Sequence, residues 1–269
     1  MTETKMNVEL MFHTQLSAKF KEKLRKASEQ LAEAPDGKIL ALTAIRTCYS
    51  ANKPSEIAIK EGAKYFGSAA SDGDSGSDAD RLIRQIVASK HTSTLEGITF
   101  NFAIEGVSRA LLAQLTRHRV GFSFSVQSQR YVRMGSGDRS GGFDYVVPEK
   151  VDTSTKTVTE EFDHCDGLEI ERRASDIFSE AMSNAQQAYD KLREAGVPAE
   201  DARAVLPQAA ATNLVMTVNL RALLDFYAKR RRGNGAQVEI ADLAEALRRA
   251  VTEVEPWTAQ FFEGVSASV

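Results

Sequence analysis

The stretch ITFNFAI, residues 98–104, indicates the fold class because its apolar residues alternate strictly with polar or small ones. Ile98, Phe100, Phe102 and Ile104 therefore fall on one face, which is the pattern of a strand that is half-buried against a core. A helix would need apolar residues every three or four positions, and this stretch lacks that spacing. The sequence predicts a sheet strand here.

The segments on either side predict more helix than strand. Further strands are expected at residues 8–12, 145–148 and 214–218. Helices are expected at residues 14–34, 39–48, 81–90, 108–119, 168–195, 199–205, 220–231 and 238–262. Polar or glycine-rich composition predicts surface loops at residues 69–78 and 134–143. We expect one α+β domain over residues 1–269, of α/β type, with a central, mostly antiparallel sheet and a helix-rich C-terminal half.

Composition and charge narrow the functional classes. The net charge of −3 argues against a protein that coats nucleic acid by charge alone. Two cysteines, Cys48 and Cys165, are too few for a disulfide framework, and the N-terminus lacks the apolar core of a signal peptide. No apolar run approaches the roughly 20 residues that a membrane helix needs. We expect a cytoplasmic protein without nucleic-acid or membrane partners.

Several common site types are missing from the sequence. The four histidines are scattered without paired cysteines or carboxylates, so no metal site is expected. There is no P-loop, no GxGxxG fingerprint and no Gly-x-Ser-x-Gly elbow. Any flavin or nicotinamide site is therefore expected to be of a type other than Rossmann.

The densest polar cluster lies at the end of the helix predicted for residues 108–119. Gln114, Arg117 and His118 would share one helical face. Arg119 comes next, and Arg130 and Arg133 follow among serines and glutamines. Arginine's planar fork binds phosphate or carboxylate through two hydrogen bonds, which favours an anion site. The alternative is a basic helix end that is simply solvated and benefits from the helix dipole.

Three smaller clusters also carry both a functional and a structural interpretation. Residues 200–203 (EDAR) form either part of an anion site or a surface ion pair. Residues 229–235 (KRRRGNG) form either a phosphate-binding turn or a solvated helix end. His91 precedes a run of hydroxyl residues and Glu96, and a lone histidine in that setting is more often structural than catalytic. The residue types alone leave these alternatives open.

Taken in order, these segments resemble one enzyme family. Residues 117–132, RHRVGFSFSVQSQRYV, are here called the signature segment, and they resemble the Arg-His-Arg followed by Ser-x-Arg-Tyr of the flavin-dependent thymidylate synthases. Further matches in order and approximate spacing are residues 45–50 (IRTCYS), 91–100, 108–114, 202–207, 217–221 and 236–240. Arg-His-Arg alone is weak evidence, whereas the ordered set covers most of the chain.

The resemblance implies an enzyme that converts dUMP to dTMP. It implies FAD as cofactor, methylenetetrahydrofolate as carbon donor, NADPH as reductant and a homotetramer whose active sites are shared between subunits. It also implies flavin hydride transfer in place of an enzyme cysteine nucleophile. In agreement, neither Cys48 nor Cys165 is preceded by the proline that marks the nucleophile of the ordinary thymidylate synthase.

The resemblance also implies a role for individual residues. The residues expected to bind the flavin cofactor are His91, Ser93, Glu96, Arg117, His118, Arg119, Asn219, Arg221 and Asp225. The residues expected to bind dUMP are Gln114, Ser128, Gln129, Arg130, Arg203, Arg230 and Arg231. Among all of these, Arg117, Ser128 and Arg230 are expected to be catalytic, with Ser128 hydrogen-bonding to dUMP and not acting as a nucleophile.

The chain departs from the family pattern at several positions. Eight residues, not seven, separate Arg119 from Ser128, and a bulge at Gly121 is expected to absorb the extra one. A second extra residue leaves Arg230 and Arg231 as rivals for the arginine that contacts the uracil base. Val126, Asp225 and Gly235 also replace more usual family residues. These departures motivate the alternative of a non-catalytic flavin- or nucleotide-binding homologue; a nucleic-acid-binding module is disfavoured by the acidic balance.

Overall fold

A four-stranded antiparallel sheet organises the computed structural model, which describes residues 1–162 and 168–263. The strands are β1 (Asn7–His13), β2 (Thr99–Ser108), β3 (Phe122–Val126), β4 (Thr157–Phe162), β5 (Leu168–Arg173) and β6 (Ala211–Asn219). The main sheet has the order β1-β2-β6-β3, and β4 pairs with β5 in a separate hairpin. Every one of these strand pairs is antiparallel.

Helices surround this sheet. They are α1 (Ala18–Ala27), α2 (Glu29–Glu33), α3 (Asp36–Thr47), α4 (Pro54–Gly67), α5 (Asp78–Ala88), α6 (Arg109–Leu115), α7 (Glu149–Asp152), α8 (Ala174–Glu194), α9 (Ala199–Ala202), α10 (Leu220–Arg230), α11 (Val238–Val254) and α12 (Ala259–Glu263). Short 3₁₀ turns lie at Thr92–Leu95, Arg203–Val205 and Pro256–Thr258. The predicted α+β class is confirmed. In the described part of the chain, none of the helices has the length and apolar character to cross a membrane.

The main core confirms the alternating strand. Phe100, Phe102 and Ile104 are all buried, and they belong to one apolar cluster with Met216 of β6 and Leu247 of α11. Burial of each such side chain contributes about 1.5–3 kcal/mol to folding. The strand runs four residues further than predicted because its pairing with β6 resumes after an irregularity and continues to Ser108.

The helix predicted for residues 168–195 was wrong over its first part. Residues 168–173 form β5, and the helix α8 begins only at Ala174. The sequence LEIERR alternates apolar or long aliphatic side chains with charged ones, and its register pairs Glu160 with Ile170 and Val158 with Arg172. Alternation of side-chain type at every second residue is the pattern of a strand in a hairpin, and the helical prediction overlooked it.

Other element predictions were wrong in smaller ways. The helix expected over residues 14–34 is divided into α1 and α2 by Ser28, whose backbone is extended. Residues 145–148 form no strand, because Tyr145 makes only isolated bridges to Glu3 and Ala210. Neither α4 nor β3 was predicted. The two predicted loops, at residues 69–78 and 134–143, are confirmed.

The central strand β6 defines two ends of the sheet, which matter for the site. At the Ala211 end, the backbone N–H of Arg109 donates to the carbonyl of Ala210 at 3.0 Å. At the Asn219 end, the N–H of Asn219 donates to the carbonyl of Gly121 at 3.0 Å. A strand of this length separates its ends by about 26 Å, at roughly 3.3 Å per residue. Side chains at the two ends therefore belong to different regions of one chain.

Candidate active site

The signature segment begins beyond a helix and not within one. Ser108 is the N-cap of helix α6, as predicted, because its hydroxyl accepts from the N–H of Leu111, but the helix runs only from Arg109 to Leu115. The Thr116 hydroxyl donates to the Leu112 carbonyl at 2.9 Å, and the N–H of His118 donates to the Leu115 carbonyl at 3.0 Å. These bonds satisfy the last carbonyls of the helix and turn the chain. The prediction that Gln114, Arg117 and His118 share a helical face was therefore wrong.

The three residues of Arg-His-Arg point in different directions. Arg117 and Arg119 are exposed, whereas His118 is half-buried. The imidazole of His118 packs edge-on against Phe226 at 4.9 Å between ring centroids and lies 5.9 Å from Phe122. The turn thus presents two cations to the surface and anchors itself by the histidine between them.

Gly121 accommodates the extra residue of the signature segment. Its φ of 76° is left-handed, and a Cβ at this position would lie 2.6 Å from Ala222 Cβ and 2.7 Å from Asn219 Nδ2. The expected bulge was wrong: strand β3 starts after Gly121 and pairs with β6 in unbroken register. The extra residue lies in the turn, and glycine is required there by both backbone conformation and space.

Gly121→Ala is expected to lower the free energy of unfolding by more than Gly235→Ala does. Both glycines are left-handed, which costs an L-residue about 1–2 kcal/mol, but nothing lies within 4 Å of a Cβ built on Gly235. At Gly121 the collision with Asn219 adds roughly 1–3 kcal/mol of overpacking. Urea unfolding of the two variants measures the difference. Equal destabilisation would contradict the close contact with α10.

Arg230 is the arginine that the structure brings to the signature segment. Its Nε donates to His118 Nε2 at 3.1 Å. Burial lowers the pKa of His118, as do the neighbouring charges of Arg230 and Lys229, so the imidazole is neutral at pH 7 and able to accept. Arg231 instead has its charge near the phenol of Tyr227: burial and the charge of Glu245 raise the pKa of Tyr227, and Arg231 opposes them. Of the two rivals, only Arg230 makes a side-chain hydrogen bond to the signature segment among the described residues.

A groove of about 570 Å³ opens at the Asn219 end of the sheet. Four of the residues predicted to bind flavin line it: Glu96, Asn219, Arg221 and Asp225. The remaining lining residues are Val87, Lys90, Thr92, Val120, Ala222, Leu224, Ala228, Lys229 and Phe261. Arg221 pairs with Glu96 at 2.5 Å, and Lys229 pairs with Asp225 at 2.8 Å. With Lys90 added, the groove carries three cations against two carboxylates.

His91 lies between Lys90 and Thr92, two residues that line this groove. The segment 45–50 contacts His91 through Tyr49. The Tyr49 hydroxyl is 3.5 Å from His91 Nδ1, and Tyr49 is 62% exposed. Ser93, also predicted to bind flavin, is exposed one residue beyond Thr92.

The segment 45–50 is held by Glu61 of α4. Arg46 Nε donates to Glu61 at 2.7 Å, Asn52 Nδ2 donates at 2.8 Å, and the Ser50 hydroxyl donates to the same carboxylate. Burial acts to raise the pKa of Glu61, but these hydrogen bonds lower it to about 2. The carboxylate is therefore charged at neutral pH and fixes the segment that carries Tyr49.

A second cavity, of about 280 Å³, lies at the Ala211 end. It contains Arg203 and Gln129, both predicted to bind dUMP, together with Arg109, Ala204, Leu206, Pro207 and Gln208. Gln129 is buried, and its Nε2 has no hydrogen-bond partner among the residues that the structure describes. An unpaired buried donor costs about 1–3 kcal/mol, so this atom is suited to a ligand that accepts.

Arg109 lines the same cavity and is a candidate site residue that the sequence did not single out. Burial lowers its pKa, and so does the neighbouring charge of Arg203. A signal was present in the sequence: Arg109 is the first residue of α6, where the helix dipole disfavours a cation. A positive charge at that position, beside a second arginine, is one that an anion in the cavity would stabilise.

The other residues predicted to bind dUMP do not all lie at the same cavity. Arg130 is exposed and pairs with Glu200 at 2.9 Å, and Arg203 Nε donates to the Glu200 carbonyl at 2.9 Å. The Ser128 hydroxyl accepts from the N–H of Arg130 at 3.2 Å. Gln114 lines neither cavity and hydrogen-bonds to Gln237. Glu200 thus keeps Arg130 close to the Arg203 cavity.

Comparisons with known proteins assign the class and then the family. Residues 30–257 match the family model described as Thymidylate synthase complementing protein, so the fold and the site define an enzyme of the thymidylate synthase class. A flavin-dependent thymidylate synthase from Geobacter sulfurreducens is 37% identical over 226 residues, which cover 84% of this chain and 82% of the relative. Another from Clostridium tetani is 32% identical over 242 residues, with the same coverage. The chain belongs to the flavin-dependent thymidylate synthase family.

A solved structure supports the fold. The UMP/dUMP methylase PolB from Streptomyces cacaoi, bound with 5-Br dUMP, superposes with a TM-score of 0.66. The match covers 98% of this chain and 97% of that chain at 20% sequence identity. The family resemblance predicted from the sequence is confirmed, and so is the prediction of an enzyme.

Proposed function

We propose that this enzyme converts dUMP to dTMP, with bound FAD, methylenetetrahydrofolate as carbon donor and NADPH as reductant. The reaction balances as dUMP, methylenetetrahydrofolate, NADPH and one proton giving dTMP, tetrahydrofolate and NADP⁺. The relatives named flavin-dependent thymidylate synthase support it. So do two separate cavities with charged residues in their linings, one suited to a phosphate and one suited to a cofactor with both rings and phosphates.

The cavity at the Ala211 end is the proposed binding site for the phosphate of dUMP. Arg109 and Arg203 are neighbouring cations, and neither makes a salt bridge within residues 1–162 and 168–263. Gln129 Nε2 is a third donor, buried and unpaired. Two guanidinium groups and an amide N–H are the donors that a dianionic phosphate needs. The unpaired Gln129 amide is the observation on which this assignment rests.

The groove at the Asn219 end fits FAD by its chemistry. Arg221 and Lys229 neutralise Glu96 and Asp225, so Lys90 leaves the groove with a net positive charge that suits the cofactor's phosphates. Apolar side chains of the same groove suit a ring: Val87, Leu224, Ala228 and Phe261. When bound, FAD would supply the hydride transfer that no side chain can perform. The chain's part is to bind, orient and provide positive charge.

The separation of the two cavities supports active sites that are shared between subunits. The phosphate cavity lies at the Ala211 end of β6 and the flavin groove at the Asn219 end, and the strand between those ends is about 26 Å long at roughly 3.3 Å per residue. A single nucleotide is far shorter than this separation. One copy therefore supplies the phosphate donors and another supplies Arg230 and the flavin groove.

A second copy can meet this requirement through the outer face of the sheet. Ser125 of β3 and Asn213 and Val215 of β6 are exposed on that face. A two-fold axis across β6 would place the Ala211 end of one chain over the Asn219 end of its partner, twice over. This arrangement supports the homotetramer with shared sites that the resemblance implies.

The proposal has no role for a cysteine nucleophile. Cys48 caps the C-terminal end of α3, is exposed, and directs its thiol to the Ala44 carbonyl. It lines neither cavity. Cys165 lies outside the described residues.

The test is dTMP formation by purified protein supplied with FAD, dUMP, methylenetetrahydrofolate and NADPH. We expect a flavin visible spectrum, product that requires every component, and activity that survives Cys48→Ala. A flavin spectrum without dTMP would instead support the non-catalytic homologue. Loss of activity in Cys48→Ala would overturn the route without a cysteine. Light scattering of the FAD-bound protein tests the tetramer.

A further inference from the structure

Two aromatic neighbours hold the ring of His118 in one orientation. Its ring lies edge-on to Phe226 at 4.9 Å and close to Phe122 at 5.9 Å, so packing on two sides restricts its rotation. From that position, Nε2 lies 3.1 Å from Arg230 Nε. Because an arginine only donates, Nε2 accepts and the imidazole carries its proton on Nδ1.

Arg230 differs from the neighbouring arginines because its hydrogen-bond partner is an imidazole and not a carboxylate. Arg221 is paired with Glu96 and Arg130 with Glu200, so their charges are largely compensated. Within the part of the chain that the structure describes, Arg230 makes no salt bridge, and its side-chain hydrogen bond goes to a neutral ring. An imidazole acceptor orients the guanidinium without neutralising it. Both terminal Nη groups remain free to donate, with their full positive charge.

We propose that His118 is a positioning residue that aims the charged Nη edge of Arg230 at the uracil ring of dUMP. The inference rests on the proposed function, since it names how that site holds its base-contacting arginine. It assigns His118 a task on Arg230 in addition to any contact with flavin. It also selects Arg230 over Arg231, which has no such support.

The arrangement requires a neutral His118, and its surroundings keep it neutral. Burial lowers the pKa of His118, followed by the charges of Arg230, Lys229 and Arg117, while Asp225 alone acts to raise it. When the pH falls through this lowered pKa, the ring gains a proton on Nε2. It then ceases to accept and repels Arg230. Arg230 is released, and dUMP affinity falls at acidic pH.

Two variants separate the hydrogen bond from the titration. His118→Gln offers an amide oxygen near the position of Nε2 and does not titrate, whereas His118→Leu fills the space without an acceptor. With FAD saturating at pH 8, we expect His118→Leu to bind dUMP roughly tenfold more weakly, the effect of about one charge-assisted hydrogen bond. We expect His118→Gln to remain within about threefold of the wild type.

The pH profile is the measurement that a purely structural role would not change. Titration calorimetry of dUMP between pH 5.5 and 8 includes the protonation of the ligand's own phosphate, which is common to all variants. The ratio of wild-type to His118→Gln affinity removes that contribution. We expect this ratio to fall as the pH falls, and a constant ratio overturns the proposal.

The remaining outcomes are also decisive. If His118→Gln binds dUMP as weakly as His118→Leu while both melt at the wild-type temperature, the acceptor role is wrong. If the FAD-saturated wild type binds no dUMP at any pH, the proposed function fails and not the positioning role. When Arg230→Gln is added to both proteins, the ratio of their dUMP affinities should no longer depend on pH, because no cation is then left to be positioned.

Discussion

Arg203→Ala is expected to weaken dUMP binding by at least tenfold, because a charge-assisted contact to phosphate contributes about 1.5–3 kcal/mol. Arg109 approaches the same cavity, and its pKa is lowered by burial and by Arg203. The double variant Arg109→Ala, Arg203→Ala is therefore expected to lose affinity by roughly a hundredfold or more. Removing one cation also relieves repulsion on the other, so the two losses should be less than additive. Calorimetry with dUMP and FAD-saturated protein measures each.

The matched control for these variants is Arg25→Ala. Arg25 is an exposed residue of α1 and lines neither cavity, so this variant makes the same change in net charge. It should leave dUMP affinity unchanged. Uridine lacks the phosphate, and its weaker binding should not respond to loss of either arginine. A normal affinity of Arg203→Ala for dUMP would show that the phosphate lies elsewhere.

Arg230→Gln is expected to lower kcat/KM for dTMP formation by about a hundredfold or more, the usual effect of removing one preorganised group that stabilises developing charge. The uracil ring gains negative charge as its C5 is alkylated, and Arg230 presents an uncompensated cation from a fixed position. The loss should appear mainly in kcat, since the charge on the ring is greater in the transition state than in bound dUMP.

Arg231→Gln is the control that the chain itself provides. It removes the same charge from the adjacent residue, whose side chain lies near Tyr227 and not near His118. Its kcat/KM should remain within about threefold of the wild type, as for surface charges near a site. The opposite ranking of the two variants would transfer the role to Arg231 and remove the basis for the His118 contact.

The fold could be predicted where a local pattern coincides with burial. The alternation of Phe100, Phe102 and Ile104 indicated a strand, and Ser108 indicated the start of the following helix; both are confirmed. Prediction failed where two local patterns competed. Residues 168–173 continue directly into α8, and only their pairing with β4 makes them a strand. Pairing partners are a tertiary property, and the isolated segment does not reveal them.

The candidate site could be predicted as a set of residue types but not as an arrangement. The sequence identified a cluster of arginines, and it left Arg230 and Arg231 as equal rivals. It also overlooked Arg109, which is only five residues from Gln114. Helical spacing assigned His118 to the wrong face, because α6 ends at Leu115 and the turn after it directs the imidazole inward.

By itself, the sequence determined the family, the central strand and the residue types of the site. These depend on spacing along the chain, which is present before any folding. Only the tertiary structure decided that Arg230 meets His118, 112 residues away in sequence. It also decided that the cavity around Arg203 and the groove around Arg221 lie at opposite ends of β6. Such distances depend on the packing of the sheet against its helices, because burial and not chain spacing brings remote side chains together.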